Sequence, residues 1–136
     1  MTTKPIVTGG PFLWNVPVYY DDTDFSGVVY HANYLKFFER AREEAIGQAR
    51  LVQLWEEAAL SFVVYKLDMQ FVDGARFGEM LEIRSTWELE SKYRLNWRQE
   101  AWRPGGKKTA VSANIQLVCI DHNRTLRPIP MEWVAG

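Results

Sequence analysis

The sequence predicts an α+β fold in which a curved antiparallel sheet of five strands wraps one long central helix. The chain has 136 residues, 47% of them hydrophobic, which suits one domain spanning residues 1–136. One long segment, from about His31 to Ala49, carries apolar or small residues at helical spacing. Strand-like alternation fills most of the sequence after Ser61. These observations favour a single compact core.

The first strand is predicted over Leu13–Tyr20, where aromatic or aliphatic residues alternate with small or polar ones. Residues 1–12 are expected to form a loose lead-in, because Pro5, Gly9 and Gly10 occur there without an apolar period. Pro17 has no backbone N–H and indicates an edge position or a bulge.

The long helix is predicted to follow the polar segment Asp21–Tyr30, and a shorter helix is expected over Leu51–Ala58. Apolar or small residues recur at intervals of three and four, so one face of the long helix is suited to packing on a sheet. The members of that face are Leu35, Phe38, Arg42, Ala45, Ile46 and Ala49.

Four more strands are predicted from period-two alternation, and short connections favour antiparallel neighbours in a meander. The tail with Pro128 and Pro130 is expected to lie along the surface. Five strands leave open sheet edges, so a homodimer or a larger assembly is expected. The four strands span Phe62–Val72, Leu81–Leu89, Tyr93–Trp102 and Thr109–Ile120.

Charge and composition argue against several functional classes. The net charge is -1 and the basic residues are scattered, so nucleic acid is not an expected partner. Cys119 is the one cysteine and lies in an apolar run, which predicts a buried thiol. Two unpaired histidines predict no metal site, and no cofactor is expected. Without a membrane-length apolar run or a signal-peptide core, a cytoplasmic location is expected.

A polar turn before the long helix is the strongest candidate for chemistry. Asp21, Asp22 and Asp24 cluster there, and His31 follows Asp24 by seven residues. A helix start presents free backbone N–H groups and positive potential, which suits a developing oxyanion. A carboxylate facing the same volume would act as nucleophile or general base, so the pattern favours acyl transfer.

The same residues also fit structural roles. Asp and Thr before a helix are most often caps or turn formers, and a lone histidine at a helix start is usually structural. Ser26 and Ser61 lack the Gly-x-Ser-x-Gly context of a nucleophilic serine, and His122 is expected to be exposed. On residue chemistry alone, Asp24 stays open between catalysis and turn formation.

From Tyr19 to Arg42 the chain reads Tyr-Tyr-Asp-Asp-Thr-Asp-Phe-Ser-Gly-Val-Val-Tyr-His-Ala-Asn-Tyr-Leu-Lys-Phe-Phe-Glu-Arg-Ala-Arg. This motif, together with Met80–Ile83 and Leu117–Asp121, closely resembles the hot-dog-fold thioesterases of the 4-hydroxybenzoyl-CoA thioesterase family. Within that family it is most similar to the acyl-CoA thioesterases linked to the Tol-Pal system of bacteria. The resemblance runs from about Val16 to Pro130.

The resemblance implies a helix wrapped by a five-stranded sheet, dimerisation into a continuous sheet, and often a homotetramer. It implies hydrolysis of an acyl-CoA to a free acid and coenzyme A. By the family pattern, Asp24 is the catalytic carboxylate, acting as nucleophile or as general base on water. His31 would polarise the thioester carbonyl through its backbone N–H, with its imidazole as a second contribution.

Substrate-binding residues are also implied by the resemblance. Lys92 and Arg94 fall near the region that binds coenzyme A phosphates, often across a subunit interface, although a solvated strand end is the alternative. Tyr30, next to His31, is expected to contact substrate. The pair Phe25-Ser26 and the turn Asp73-Gly74 depart from the family pattern and leave the acyl group open.

Two other functions stay open at this point. An enoyl-CoA hydratase of the same fold would also use Asp and His near a helix start, although its motif does not match. A catalytically silent acyl-CoA-binding or scaffold protein would keep the fold without turnover.

Glu39 and Glu43 do not match the motif of the thioesterase subfamily that has its catalytic Glu within the helix.

Overall fold

The computed structural model describes residues 8–130 and confirms the α+β class, with an antiparallel sheet packed on a helix. A short 3-10 turn, Tyr20–Asp22, separates the first strand from the first helix. In chain order the elements are β1 Thr8–Pro17, α1 Asn33–Ile46, α2 Gln48–Ala58, β2 Leu60–Phe71, β3 Met80–Ser91, β4 Arg94–Trp102, β5 Val111–Asp121 and β6 Leu126–Arg127.

The prediction of one long helix over His31–Ala49 was wrong at its end. Gly47 has a φ of 104°, in the left-handed region that favours glycine, and it separates α1 from α2. The second helix therefore begins at Gln48, inside the range predicted for the first, and it contains the predicted helix Leu51–Ala58.

The prediction of five strands was also wrong by one short strand. The side chain of Asp121 accepts hydrogen bonds from the backbone N–H groups of Asn123 and Thr125, which turns the chain back on itself. β6 then pairs with the end of β5, as the sixth strand of the sheet. Ile129 follows β6 and is buried, so part of the predicted surface tail packs on the core.

The strand order is β1-β3-β4-β5-β2, which corrects the predicted meander at β2. The hairpin-connected neighbours β3, β4 and β5 follow the prediction, but β2 pairs with β5 and not with β3. The helices carry the chain from one sheet edge to the other, so β2 forms the opposite edge. Residues 72–79 then cross back to β3.

β1 begins at Thr8, so residues 8–12 of the predicted lead-in are strand; residues 1–7 lie outside the described part of the chain. The strand extends this far because it pairs with β3 up to Glu88. Gly9 faces the Trp87 indole so closely that a Cβ there would lie 2.1 Å from a ring atom. Pro17 ends the strand at a sheet edge, as its missing N–H predicted.

The core lies between α1 and the middle of the sheet. Phe37, Phe38 and Ala41 on α1 are at most 1% exposed. They belong to one cluster with the inward side chains of β3 and β4, including Ile83 and Trp97. Neither helix in residues 8–130 has the length and apolar character needed to cross a bilayer.

Candidate active site

The turn that carries Asp24 is a tight hairpin. The backbone N–H of Asp24 donates to Val28 O at 2.8 Å, and the N–H of Tyr30 donates to Asp22 O at 2.8 Å. Gly27 has a φ of 85°, which favours glycine, and its N–H closes the turn on Asp24 O at 3.1 Å. The backbone of Asp24 is therefore held by contacts on both sides.

The Asp24 carboxylate is exposed and has one oxygen engaged. Its Oδ1 accepts the Ser26 hydroxyl at 2.6 Å and the Ser26 backbone N–H at 2.8 Å. The hydroxyl hydrogen bond is the largest cause of a pKa lowered below the ordinary value of 3.8. The group is therefore ionised at neutral pH, and Oδ2 has no hydrogen-bond partner among residues 8–130.

Asp22 serves a structural purpose in the same turn. It accepts hydrogen bonds from the backbone N–H of Tyr19 at 2.8 Å and from Asn33 Nδ2 at 3.1 Å. Because Asn33 is the first residue of α1, these bonds tie the turn to the helix. The cluster of acids thus divides into an anchor, Asp22, and an exposed carboxylate, Asp24.

The start of α1 has no side-chain cap. Its N-cap is Ala32, which has no side-chain capping bond, and the first turn contains no acidic residue. His31 precedes the cap, and its ring contacts those of Tyr30, at 4.5 Å between centroids, and Phe71, at 6.1 Å. The sequence therefore correctly placed His31 at a helix start.

The hairpin carries Asp24 beside its tip and leads into His31 at its base. Tyr30 pairs with Asp22, two residues from Asp24 along the chain. Two extended residues span roughly 7 Å, so Asp24 lies about one such step along the arm from the residue that pairs with Tyr30.

The crossing segment between β2 and β3 supports the hairpin from below. The N–H of Val29 donates to Ala75 O at 2.9 Å, and the N–H of Ala75 donates to Tyr34 Oη at 3.3 Å. Burial raises the pKa of the Tyr34 hydroxyl, which is therefore neutral. A Cβ on Gly74 would lie 2.8 Å from the Val28 side chain, so glycine permits this close approach.

Arg103 clamps both ends of the crossing segment, and sequence reasoning missed it. Its guanidinium donates to both carboxylate oxygens of Glu79, at 3.0 and 2.9 Å, and to Asp73 at 2.8 Å. These bonds lower the pKa values of Asp73 and Glu79. No local pattern pointed to this role, because the partners are 24 and 30 residues away in sequence.

A single chain does not bring Lys92 and Arg94 to Asp24. Lys92 lies above the Tyr93 ring at 5.1 Å, and the Arg94 guanidinium lies 4.6 Å from the Tyr65 ring. Both residues come after the last residue of β3, whereas the Asp24 hairpin lies near the first residue of that strand. Twelve strand residues span roughly 35 to 40 Å. A role for these two residues at the site stays a prediction that requires another subunit.

Two residues that the sequence set aside behave as predicted. Cys119 is fully buried, and burial raises the pKa of its thiol to about 11. The thiol is therefore protonated at neutral pH and is a poor nucleophile. His122 is exposed in the turn after β5.

A buried polar network beneath α1 is the second feature that sequence reasoning missed. Arg42 is 7% exposed, and its Nη1 donates to Gln99 Oε1 at 3.0 Å. The Gln99 amide donates in turn to Phe38 O at 2.9 Å and to Ser85 Oγ at 3.0 Å. Helical spacing placed Arg42 on the inner face but could not identify its partners.

Comparisons with known proteins agree with this architecture. Residues 18–136 match the family described as the thioesterase-like superfamily. The chain is 33% identical over 120 residues to an acyl-CoA thioesterase, YbgC, of Haemophilus influenzae, covering 87% of this chain and 86% of that protein. It is 46% identical over 76 residues to the acyl-CoA thioester hydrolase YbgC of Escherichia coli.

The match to the Escherichia coli protein covers 54% of this chain and spans 56% of that relative's length. A solved 1,4-dihydroxy-2-naphthoyl-CoA thioesterase from Synechocystis is 24% identical and superposes with a TM-score of 0.81, covering 93% of this chain and 92% of that one. That likeness supports the hot-dog fold which the resemblance implied. The chain belongs to the thioesterase-like superfamily.

Proposed function

We propose that this protein hydrolyses an acyl-CoA thioester to a free carboxylic acid and coenzyme A. The observation that carries the proposal is the Asp24 carboxylate, ionised and exposed, with Oδ1 engaged by Ser26, on the turn before an uncapped helix start. The names of the YbgC relatives, which describe acyl-CoA thioester hydrolysis, support the same reaction.

The proposed reaction begins with the thioester carbonyl beside the start of α1. The backbone N–H of His31 donates to the carbonyl oxygen and stabilises the oxyanion of the tetrahedral intermediate. The dipole of α1 adds to this effect at the helix start. Breakdown of the intermediate breaks the C–S bond, and coenzyme A leaves as a thiolate that takes up a proton.

Asp24 can serve this reaction in two ways. As a general base it removes a proton from the water that attacks the carbonyl carbon. As a nucleophile it attacks through Oδ2 and forms a mixed anhydride, which water then hydrolyses. Label in the Asp24 carboxylate after a single turnover in ¹⁸O-water would establish the nucleophilic route, because only attack of water on the Asp24 carbon of the anhydride places it there.

The test of the reaction is Asp24→Asn, assayed by thiol release from short, long and aromatic acyl-CoAs. Loss of the carboxylate is expected to lower kcat/KM by roughly 10²- to 10⁴-fold. Asp21→Asn is the matched control, because Asp21 is exposed and lies three residues away; its activity is expected to match wild type. Full activity in Asp24→Asn would contradict the proposal.

Two other results would replace the thioesterase function. Addition of water to an enoyl-CoA without thiol release would assign a hydratase. Tight acyl-CoA binding in a calorimeter, with no turnover of any acyl group, would assign a binding or scaffold protein. We also propose the finer placement, in the 4-hydroxybenzoyl-CoA thioesterase family and its Tol-Pal-linked branch, on the motif from Tyr19 to Arg42.

We propose that two subunits pair through β2. This edge strand exposes a row of large apolar side chains, which is unusual for an edge left in water. Sedimentation of Tyr65→Asp is expected to show a shift toward monomer, whereas Leu13→Asp, equally exposed on the β1 edge, should leave assembly unchanged. The exposed side chains are Val63, Val64, Tyr65, Leu67 and Phe71.

In such a dimer the coenzyme A contacts involve Tyr30, Lys92 and Arg94. Tyr30 lies beside His31, and the two basic residues supply the charge for phosphates. Lys92→Ala and Arg94→Ala are expected to raise KM for acyl-CoA but not for the acyl-pantetheine thioester, which lacks the nucleotide. Equal effects on both substrates would remove these residues from the nucleotide site.

A further inference from the structure

The inner face of β2 is only partly covered by α1: Tyr34 contacts the Phe71 ring at 6.1 Å between centroids, and Met69 packs against the core. Leu67 and Phe71 pair in register with Ile115 and Val111, which are buried in the core, so all four side chains point to the helix side of the sheet. Leu67 and Phe71 are nevertheless 42% and 51% exposed. An apolar groove therefore runs between α1 and β2, and it begins at Phe71, whose ring contacts His31.

A cavity of about 450 Å³ lies farther along α1 and β2, toward the second helix. Apolar side chains dominate its wall, among them Ile46, Leu54, Trp55 and Phe62. Arg42 also lines it. Arg42 lies eleven positions after His31, a separation of roughly 16 Å at the helical rise per residue. A long acyl chain starting at the Asp24 site could reach this cavity along the groove.

Arg42 is an unusual residue in the wall of a mostly apolar cavity, because it is charged. Its guanidinium has five N–H donors, and one donates to Gln99. The side chain takes part in none of the ion pairs within residues 8–130. Its other nitrogen donors make no hydrogen bond within residues 8–130 and are not fully buried, so they are open to a ligand that brings an oxygen acceptor into the cavity.

Two acids determine which acceptor fits best. Glu39 and Glu43 also line the cavity, and both favour the charged form of Arg42 electrostatically. With one arginine and two glutamates the wall already carries a net negative charge. A third carboxylate, brought by a ligand, would be repelled, whereas a neutral hydroxyl or keto oxygen can accept from the guanidinium without that cost.

We propose that this cavity receives the distal part of a long acyl chain, and that Arg42 selects chains carrying a neutral hydroxyl or keto oxygen there. The inference rests on the proposed thioesterase function and adds the class of acyl group. Arg42 is in this reading a specificity residue, since it contacts substrate far from the thioester.

The test compares kcat/KM for three acyl-CoAs of one chain length: unsubstituted, ω-hydroxylated and ω-carboxylated. The hydroxylated chain is expected to be favoured by roughly tenfold, the value of one hydrogen bond to a charged group. Arg42→Met should abolish the preference. Arg40→Met, the same change at an exposed position of α1, should retain it. A wild type without preference, or a preference that survives Arg42→Met, would overturn the proposal.

A second variant covers the case in which Arg42→Met fails to fold, because it removes the partner of buried Gln99. Ser61 lines the cavity away from that network, and Ser61→Phe would fill part of the space. The ratio of long-chain to short-chain kcat/KM is expected to fall at least fivefold. An unchanged ratio, with or without a change in subunit assembly, would overturn the proposal. Absence of thiol release from every acyl-CoA would instead contradict the thioesterase function.

Discussion

The two halves of the sheet's inner face differ in how closely α1 covers them. In the closed half, over β3 and β4, the helix covers the sheet completely, and Phe38, Ile83 and Trp97 are at most 1% exposed. In the open half, over β2, the helix covers the sheet only in part, and Leu67 and Phe71 keep about half of their surface. One helix thus stabilises the fold with one side and leaves room for a substrate or a second subunit on the other.

The largest effect expected from this comparison is on stability. Phe38→Ala leaves a cavity in the closed half and should lower the free energy of unfolding by about 3–5 kcal/mol. Phe71→Ala should cost less than about 1 kcal/mol, because the ring is half exposed. Urea denaturation of both variants measures the difference. Equal losses would show that the open half is as well packed as the closed half.

An intermediate effect is expected at the clamp of the crossing segment. Arg103→Met breaks the bonds to Glu79 and Asp73 and should lower the free energy of unfolding by about 1 kcal/mol, a modest value because the groups are partly exposed. We expect the activation free energy calculated from kcat/KM to change by more than the free energy of unfolding, since the clamped segment supports the Asp24 hairpin. Arg98→Met is a suitable control, because Arg98 forms only a longer ion pair, at 3.6 Å.

The stability effect of Arg103→Met should depend on pH in a defined direction. Arg103 holds the pKa values of Asp73 and Glu79 below their ordinary 3.8 and 4.5. The stabilisation is therefore complete above those ordinary values and is lost as pH falls through the lowered ones. Urea denaturation should show wild type and variant converging in strong acid. A difference that persists there would exclude the ion pairs as its cause.

The sequence predicted the closed half better than the open half. Alternation over Leu81–Leu89 identified β3, because both the strand and its inward face follow from local periodicity. The position of β2 depends on long-range pairing with β5, which no local pattern specifies. For the site, the motif named Asp24 and His31, whose catalytic roles stay predictions. The partners of Arg42 and Arg103 depend on tertiary contacts and could not be predicted.

The smallest effect is expected at Ser26, and it tests whether the Ser26 hydroxyl lowers the pKa of the Asp24 carboxyl. Ser26→Ala removes the hydroxyl bond to Asp24 and keeps the backbone N–H bond, so the pKa of the carboxyl should rise toward 3.8. The acid limb of kcat/KM should move to higher pH, while activity at pH 7 changes little because Asp24 stays ionised.

Ser91→Ala, at the far end of β3, should leave the whole pH profile unchanged. An unmoved acid limb in Ser26→Ala, with the Asp24→Asn loss intact, would mean that Ser26 shapes the turn without tuning the carboxylate. A shifted limb would join the two roles that the sequence left open, because the bond that forms the turn would also lower the pKa of the Asp24 carboxyl.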